Sequence, residues 1–523
     1  MRATRDLEWP ADPDLYRDIA QAQTIADGSL LSDPFYRGET VWHNPLMPLV
    51  VAAFSRLLGL PVHTAYVRLG AYWNLLGPIA FYLWVARLAG AAAATVATFG
   101  FVFHHDTWAP DWVTAAYSPW LFAMTSSQGL FYASLILYRE ALLRGSLARY
   151  AASGLVVGLT FLAAAPPALI LGGIAATGCV CGILGWLGPR PAVEMRPDGT
   201  AWRMIGRHVL FFLTALLGSA VFLYSIGWRY RLRVLNPSPM SWEWAGFGGP
   251  SSFLSVHFGW PAALAALAAL AVIGARRRCP VDAALLGGFA LTALALLAHR
   301  WFFEQAGILF PQFVPSHYFV FYLKALQWAL VGLAVQGLWS FRSRFPSPAG
   351  VRLGTLPPGI ARAALMAVVA LGVLFTLPQY RSRGYLQSAR QAALAEAGRP
   401  HLHETFAWLR ANASPDDVFL ASPDTALRVI GPAGRKVVLV GEVFSNPYVD
   451  WSARARSTRA MWRALLEGDL RTFRALARAF HVTYLISWRQ DQPWLDALLE
   501  ERNVPGLSSA FKSGGVRILE LTP

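Results

Sequence analysis

The apolar positions of this chain gather in about ten long runs between residues 64 and 378. A run of about 17 to 25 mostly apolar residues is long enough to cross a bilayer as an α-helix. Spans are predicted near 64-86, 89-104, 126-143, 150-166, 168-187, 208-227, 254-275, 281-299, 318-340 and 360-378. The pattern therefore predicts a mainly α, polytopic membrane protein with a bundle of about ten spans.

After Gln379 the apolar runs shorten to strand length and alternate with amphipathic stretches. Helices are predicted over 401-412, 452-467 and 470-480, and strands over 418-421, 436-440 and 482-487. Strands that alternate with helices predict a small α/β domain. We thus expect three regions. Residues 1-63 are an acidic first external loop with an amphipathic segment, 64-380 the transmembrane bundle, and 381-523 a soluble extracytoplasmic α/β domain.

The arginines between the runs predict an orientation. Groups such as Arg139 with Arg144, and Arg342 with Arg344, face the cytoplasm on the positive-inside rule. The first loop, the 228-250 loop and the C-terminal domain then face outward from a multi-pass protein of the cell inner (plasma) membrane. An even number of spans leaves the N-terminus outside without a visible signal peptide. Either one further N-terminal span is missing from this sequence, which we favour, or the polar N-terminal segment crosses the membrane unaided.

Composition supports lipid as the main solvent. Of 523 residues, 55% are hydrophobic and only 14% are charged, against about 25% charged in soluble chains. The net charge of +15 is carried mostly by arginine between the apolar runs, without zinc-finger or RNA-binding signatures, which argues against a nucleic-acid partner. The three cysteines, Cys179, Cys181 and Cys279, offer no disulfide framework.

The acidic segment Asp12-Pro-Asp14-Leu-Tyr16 precedes the first span. A carboxylate at the outer membrane face can act as a general base on an acceptor hydroxyl, or bind a divalent cation that neutralises a phosphate leaving group. In the competing interpretation the aspartates are ordinary turn and helix-cap formers.

The acidic loop, the Pro-broken amphipathic stretch 42-60, the bundle and the C-terminal domain together resemble the GT-C superfamily of polyprenyl-phosphate-sugar-dependent glycosyltransferases. That superfamily includes the oligosaccharyltransferase catalytic subunit and the protein mannosyltransferases. The resemblance implies that Asp14 or Asp12 is the catalytic residue, and Asp14 is favoured because an apolar-aromatic pair follows it. The C-terminal domain lacks a WWDYG-type motif, which disfavours protein N-glycosylation and leaves the subfamily unidentified.

The resemblance also implies a second acidic site in the next external loop, where His105, Asp106 and Asp111 lie. Their spacing departs from the DxD or ExD of the superfamily, and an interfacial polar cap on a span is the alternative. The sequence does not determine the cofactor. A divalent cation, Mg²⁺ or Mn²⁺, is the candidate, with Asp14 and Asp106 as its ligands if it is present.

Cationic side chains at the outer face suit a donor phosphate. Arg229, Arg231 and Arg233 lie in an external loop where the positive-inside rule expects few, although a stretch lying on anionic headgroups would show the same pattern. Lys324 sits inside a span, where it can bind the donor phosphate or snorkel to the interface. Arg300, in the neighbouring external loop, completes the predicted phosphate-binding set.

These features predict an inverting glycosyltransferase that moves a sugar from a polyprenyl-phosphate donor to an acceptor on the extracytoplasmic side. The expected partners are the donor, a glycan, lipid or protein acceptor, and membrane lipids. Two alternatives stay open: a lipid or glycan transporter, for which the Pro166-Pro167 break would mark a substrate path, and a non-catalytic membrane scaffold.

Overall fold

The computed structural model describes residues 4-104, 116-187, 199-241, 279-306, 314-342, 390-395, 400-489, 491-501 and 504-522. The chain divides into two compact units that do not follow chain order. The first unit comprises 1-70, 221-242 and 388-523, and the second comprises 71-220 and 243-387. The first unit thus combines the N-terminal segment, a central segment and the C-terminal part of the chain.

The described residues are mainly helical. In chain order, the α-helices are Pro13–Ala26 (α1), Leu46–Leu58 (α2), Val62–Trp73, Leu76–Ala89, Ala91–Phe103, Ala123–Arg144, Leu147–Ala163, Ala165–Ile183, Gly199–Gly218, Ala220–Leu223, Ser238–Ser241, Pro280–Ala306, Phe319–Arg342, Pro400–Asn412, Pro423–Thr425, Trp451–Glu467, Leu470–Ala479 and Pro493–Glu501. The strands are Val418–Leu420 (β1), Lys436–Val437 (β2), Val482–Trp488 (β3), Leu507–Ser513 (β4) and Val516–Leu521 (β5). Tyr224–Arg229 and Ala426–Ile430 are π-helical turns.

Four described helices are long and apolar enough to cross a membrane: Val62–Ala89, Ala165–Ile183, Pro280–His299 and Ser316–Gln336. They match four predicted spans. A fifth predicted span, 208-227, corresponds to a pair of helices bent by 70°. Shorter apolar helices, Ala91–Phe103 and Leu147–Ala163, occupy two more predicted spans. The predicted spans 254-275 and 360-378 lie outside the described residues.

Two details of the helices differ from the sequence prediction. The helix Pro280–Ala306 continues past residue 299, so Arg300 belongs to a helix rather than to a loop. Pro166 and Pro167 lie in the first turn of Ala165–Ile183, where proline's missing N–H is not needed. The helix start therefore accounts for the two prolines without a substrate path.

The C-terminal part of the first unit contains a five-stranded sheet with the order β2-β1-β3-β5-β4. Strands β1, β2 and β3 are parallel, whereas β5 pairs antiparallel with β3 and β4. The three predicted strands are present, but β4 and β5 follow after Gly506 in a stretch where no strand was predicted. The predicted α/β character of the C-terminal region is confirmed.

The N-terminal segment covers one face of this sheet. Tyr16, Phe35 and Tyr36 are fully buried in one apolar cluster with Phe419 of β1 and Ile486 of β3. Side chains of the opposite face, such as Val418 and Leu485, pack instead with Met461 and Phe473 of the following helices. Successive strand residues point to opposite faces, so the N-terminal segment supplies one of the layers that bury the sheet.

Candidate active site

Helix α1 begins at the acidic motif. Asp12 is the N-cap residue, and its Oδ1 accepts a hydrogen bond of 2.9 Å from the backbone N–H of Asp14. Pro13 occupies the first turn, and Asp14 follows in the same turn, where a negative charge complements the helix dipole. Sequence alone thus explains why the helix starts here, and the competing interpretation of Asp12 as a helix cap is correct in geometry.

The helix cap uses only one oxygen of the Asp12 carboxylate. Burial, and next the neighbouring charge of Asp14, raise the pKa of the Asp12 carboxyl from 3.8 to about 6. No other hydrogen bond to this carboxylate is made within the part of the chain that the structure describes. The other oxygen of Asp12 thus has no hydrogen bond to the described residues, and the carboxylate can exchange a proton near neutral pH.

Arg17 joins the two other acidic residues of α1. Its Nη1 lies 3.0 Å from Asp14 Oδ1, and its Nε lies 2.9 Å from Asp18 Oδ1. The side chain of Asp14 is 50% exposed, whereas that of Asp18 is 8% exposed. Asp14, the residue favoured by the sequence, is therefore a partly solvated member of an ion pair.

Asp18 links α1 to two other segments and was not among the predicted site residues. Its Oδ2 accepts a hydrogen bond of 3.0 Å from the Tyr66 hydroxyl, and its Oδ1 lies 3.5 Å from Nδ1 of His43. Burial lowers the pKa of His43 to about 4, so the imidazole is neutral at pH 7. The signal available in the sequence was the four-residue spacing of Asp14 and Asp18, which places both carboxylates on one face of a helix.

Asp33 forms a different kind of acidic centre. This residue is fully buried, and its Oδ1 accepts from the N–H groups of Phe35 at 2.7 Å and Tyr36 at 2.8 Å. Its Oδ2 accepts from the Asn446 side chain at 2.9 Å, and its backbone carbonyl accepts from Lys436 Nζ at 2.5 Å. Every oxygen of Asp33 therefore has a partner, and the residue holds the first loop against the C-terminal sheet.

The loop that carries Arg229, Arg231 and Arg233 is held near Asp33 by contacts of Tyr230. The Tyr230 hydroxyl contacts Asn446 Nδ2 at 2.9 Å and Glu39 Oε2 at 3.0 Å, and its ring stacks on Tyr448 with centroids 4.8 Å apart. Around this anchor Arg229, Arg231 and Arg233 are exposed. Arg231 adopts a φ of 52°, in the left-handed region that residues other than glycine seldom occupy.

The second unit contains the other predicted phosphate ligands. Lys324 is 4% exposed, and its Nζ donates a hydrogen bond of 2.8 Å to the backbone carbonyl of His104 at the end of an apolar helix. His105, Asp106 and Asp111 lie outside the described residues, and so does the side chain of Arg300.

The sequence predicts Asp14 and Asp106 as the ligands of a divalent cation if one is present, and Asp106 lies outside the described residues. Asp14 is engaged by Arg17, and within the described residues no group of three or more His, Cys, Asp and Glu side chains is arranged to hold a metal ion. The described carboxylates of α1 thus do not form a metal centre by themselves.

No protein-family model matches this sequence, and no curated protein is similar to it in sequence. Solved structures do match. ArnT from Cupriavidus metallidurans bound to undecaprenyl phosphate superposes with a TM-score of 0.50 at 15% identity, over 99% of this chain and 95% of ArnT. The chain has a GT-C-like fold. The resemblance inferred from the sequence is thereby confirmed at the level of the fold.

The archaeal oligosaccharyltransferase AglB from Archaeoglobus fulgidus, in complex with an inhibitory peptide and a dolichol-phosphate, also matches. Its TM-score is 0.47 at 12% identity, over 97% of this chain and 70% of AglB. Identities this low concern the fold only. A GT-C-like fold and four apolar helices agree with a membrane location for this chain.

Proposed function

We propose that this GT-C-like chain is an inverting glycosyltransferase that moves a sugar from a polyprenyl-phosphate-linked donor to an acceptor on the extracytoplasmic side of the membrane. The observation that carries the proposal is the Asp12 carboxyl, with a pKa of about 6, at the start of the first loop's helix. A general base works best when its pKa lies near the operating pH. The ArnT structure that shares the fold contains undecaprenyl phosphate, a ligand of the required class.

In the proposed reaction an acceptor hydroxyl attacks the anomeric carbon of the donor sugar. The new glycosidic C–O bond forms as the bond from that carbon to the phosphate oxygen breaks, and the hydroxyl proton passes to Asp12. Attack from the face opposite the phosphate inverts the anomeric centre. The products are the glycosylated acceptor and the polyprenyl phosphate.

The other acidic residues of α1 have supporting roles in this proposal. The ion pairs of Arg17 with Asp14 and Asp18 hold charge near Asp12, and Asp14 contributes to its raised pKa. We therefore favour Asp12 over Asp14 as the base. Asp18, with Tyr66, is a positioning residue that fixes α1 against the helix Val62–Trp73.

Charge that develops on the leaving phosphate calls for cations. Arg229, Arg231 and Arg233 carry exposed guanidinium groups, and Lys324 is a buried ammonium within an apolar helix. The three arginines of the first unit are our candidates for the donor phosphate, and Lys324 and Arg300 of the second unit stay separate predictions from the sequence. A location in the inner membrane, with the C-terminal domain outside, belongs to the same proposal.

The test uses the purified full chain and a panel of undecaprenyl-phosphate sugars, each with a different sugar, with water supplying the acceptor hydroxyl. Release of undecaprenyl phosphate is measured by mass spectrometry for the wild type and for Asp12→Asn. We expect at least one donor to be turned over by the wild type and the variant to be at least about 100-fold slower. Equal rates, or no turnover with any donor, would contradict the proposal.

A further inference from the structure

A cavity lies at the C-terminal end of α1. Its open volume is about 260 Å³, and its lining includes Asp27, Arg56, His63, Phe406 and Arg410, all in the first unit. At about 1.5 Å of rise per residue, Asp27 lies about 14 Å along α1 from Asp18. The cavity is therefore separate from the Asp12 carboxylate and is not used in the proposed transfer.

Two arginines present open donors to this cavity. Arg56 donates one hydrogen bond, from Nη2 to the carbonyl of Ala26 at 2.8 Å. Arg410 uses Nη1 alone, at 2.6 Å from Asp27 Oδ2 and 3.1 Å from the carbonyl of Ala433. The remaining N–H groups of both guanidinium ions have no hydrogen-bond partner among the described residues.

The negative charge of Asp27 does not cancel these two cations. A second arginine, Arg435, also approaches its Oδ2, at 3.4 Å, and Gln23 donates to its Oδ1 at 2.9 Å. The carboxylate is thus saturated by partners from the wall of the cavity. Three guanidinium groups against one carboxylate leave the site with a positive charge, which favours an anion.

A helix amino terminus and an unpartnered histidine complete the site. The first hydrogen bond of Val62–Trp73 is accepted by Pro61 from Ala65, so the N–H groups before Ala65 have no intrahelical acceptor. His63 is 8% exposed, stacks on Trp9 with centroids 4.1 Å apart, and makes no hydrogen bond within the described part of the chain. Because His63 lines the cavity and makes no hydrogen bond to the described residues, its ring nitrogens are available to a polar ligand.

The residues around the cavity are of the kinds found at a membrane surface. Leu57 and Leu58, which follow Arg56 at the end of α2, are 79% and 58% exposed. The candidate span Val62–Ala89 begins at the cavity. Exposed leucines beside an arginine, just before the start of an apolar span, are typical of the headgroup region.

We propose that this cavity is an oxyanion site for a phosphate group, held by Arg56, Arg410 and the amino terminus of Val62–Trp73, with His63 as a further donor. Planar guanidinium forks match phosphate oxygens, and a helix terminus adds N–H donors. The volume leaves room for the esterified part of a lipid headgroup. The phosphate belongs either to such a headgroup or to free inorganic phosphate.

Binding by the detergent-purified full chain tests the site without any turnover. The probes are dihexanoyl phosphatidic acid, inorganic phosphate and, as the zwitterionic comparison, dihexanoyl phosphatidylcholine, with affinities from microscale thermophoresis. The variants are Arg56→Gln and His63→Phe, which keeps a ring against Trp9. Arg87→Gln is the matched control, because Arg87, like Arg56, is an exposed arginine near the end of an apolar helix and donates one hydrogen bond to a backbone carbonyl, that of Leu83.

We expect the wild type to bind phosphatidic acid more tightly than phosphatidylcholine, Arg56→Gln to bind it about tenfold more weakly, and His63→Phe about threefold more weakly. Arg87→Gln should bind like the wild type. If phosphatidic acid binds more tightly than inorganic phosphate, the source is a lipid; similar affinities, with the same loss in Arg56→Gln, identify free phosphate. The proposal is overturned if neither probe binds, if Arg56→Gln binds like the wild type, or if Arg87→Gln loses as much.

Discussion

Two Asp-Pro pairs in the first loop look alike in sequence and differ in the fold. Asp12-Pro13 begins α1, and its carboxylate makes a single described hydrogen bond. Asp33-Pro34 begins a turn, and Asp33 is satisfied by two backbone N–H groups and by Asn446 from the C-terminal part of the chain. A saturated, buried carboxylate stabilises the fold, whereas an unsaturated one with a raised pKa is available for chemistry.

The largest expected effect is on catalytic activity, and it distinguishes the role of Asp12 from that of Asp14. Removal of a general base slows a reaction by about 10² to 10⁴-fold, so we expect a loss of that size in kcat/KM for Asp12→Asn. Asp14→Asn should lose less than about tenfold, because the Asp14 side chain acts on Asp12 only through its charge and the backbone hydrogen bond stays in the variant. The measurement is donor turnover by both variants at pH 7.

Both variants keep a residue that suits a helix start, since asparagine caps a helix about as well as aspartate. Loss of activity in Asp12→Asn should therefore occur without loss of folded protein, as judged by elution volume and thermal unfolding. A larger loss in Asp14→Asn than in Asp12→Asn would instead make Asp14 the base.

Asp33 should show the opposite behaviour. Asp33→Ala leaves the N–H groups of Phe35 and Tyr36 without their acceptor and removes one of the acceptors of the Asn446 amide, and we expect a loss of about 3 kcal/mol in stability. Thermal unfolding in detergent measures it. Asp33→Ala combined with Asn446→Ala should cost less than the sum of the two single changes, because both remove the same 2.9 Å contact. Additive losses would show that the two residues are not coupled.

The sequence was sufficient for the elements whose signal is local. The four long apolar helices and the helices and first strands of the C-terminal domain follow from hydrophobic periodicity, and the GT-C-like fold follows from their arrangement. Strands β4 and β5 were missed because Ser508, Ser509 and Lys512 of β4 interrupt the apolar pattern. An edge strand with one solvated face carries a weaker signal than a buried one.

The candidate site was less predictable, because its contacts join distant parts of the chain. Asp12 and Asp14 were found from a local motif, but Asp18 gains its role from Tyr66 and His43. Similarly, Lys436 was predicted as the start of a strand, yet its ammonium group is buried against the Asp33 carbonyl. Spacing along the chain does not report such pairings, since they depend on the packing of three segments in one unit.

The pH dependence of activity should follow the ionisation of Asp12. Asp12 is an active base only when ionised, so kcat/KM should rise with pH and level off above an apparent pKa of about 6. Turnover between pH 4.5 and 8 measures this limb. The residual activity of Asp12→Asn should lack it, and a limb that persists unchanged in that variant would assign the titration to another group.

The smallest expected effect is on how the unfolding temperature depends on pH. The pKa of Asp12 is about 6 in the folded chain against 3.8 as its ordinary value, so folding favours the protonated form. Its contribution to stability is fully present below about pH 3.8 and is lost as the pH rises through about 6. The unfolding temperature of Asp12→Asn minus that of the wild type should therefore increase between pH 4 and pH 7, because asparagine does not ionise. Taking the difference cancels the titration of groups common to both proteins, Asp33 among them, whose burial also raises its pKa. A difference that stays constant over this range would mean that Asp12 titrates alike in the folded and unfolded chains, and would remove the basis on which Asp12 is preferred to Asp14 as the base.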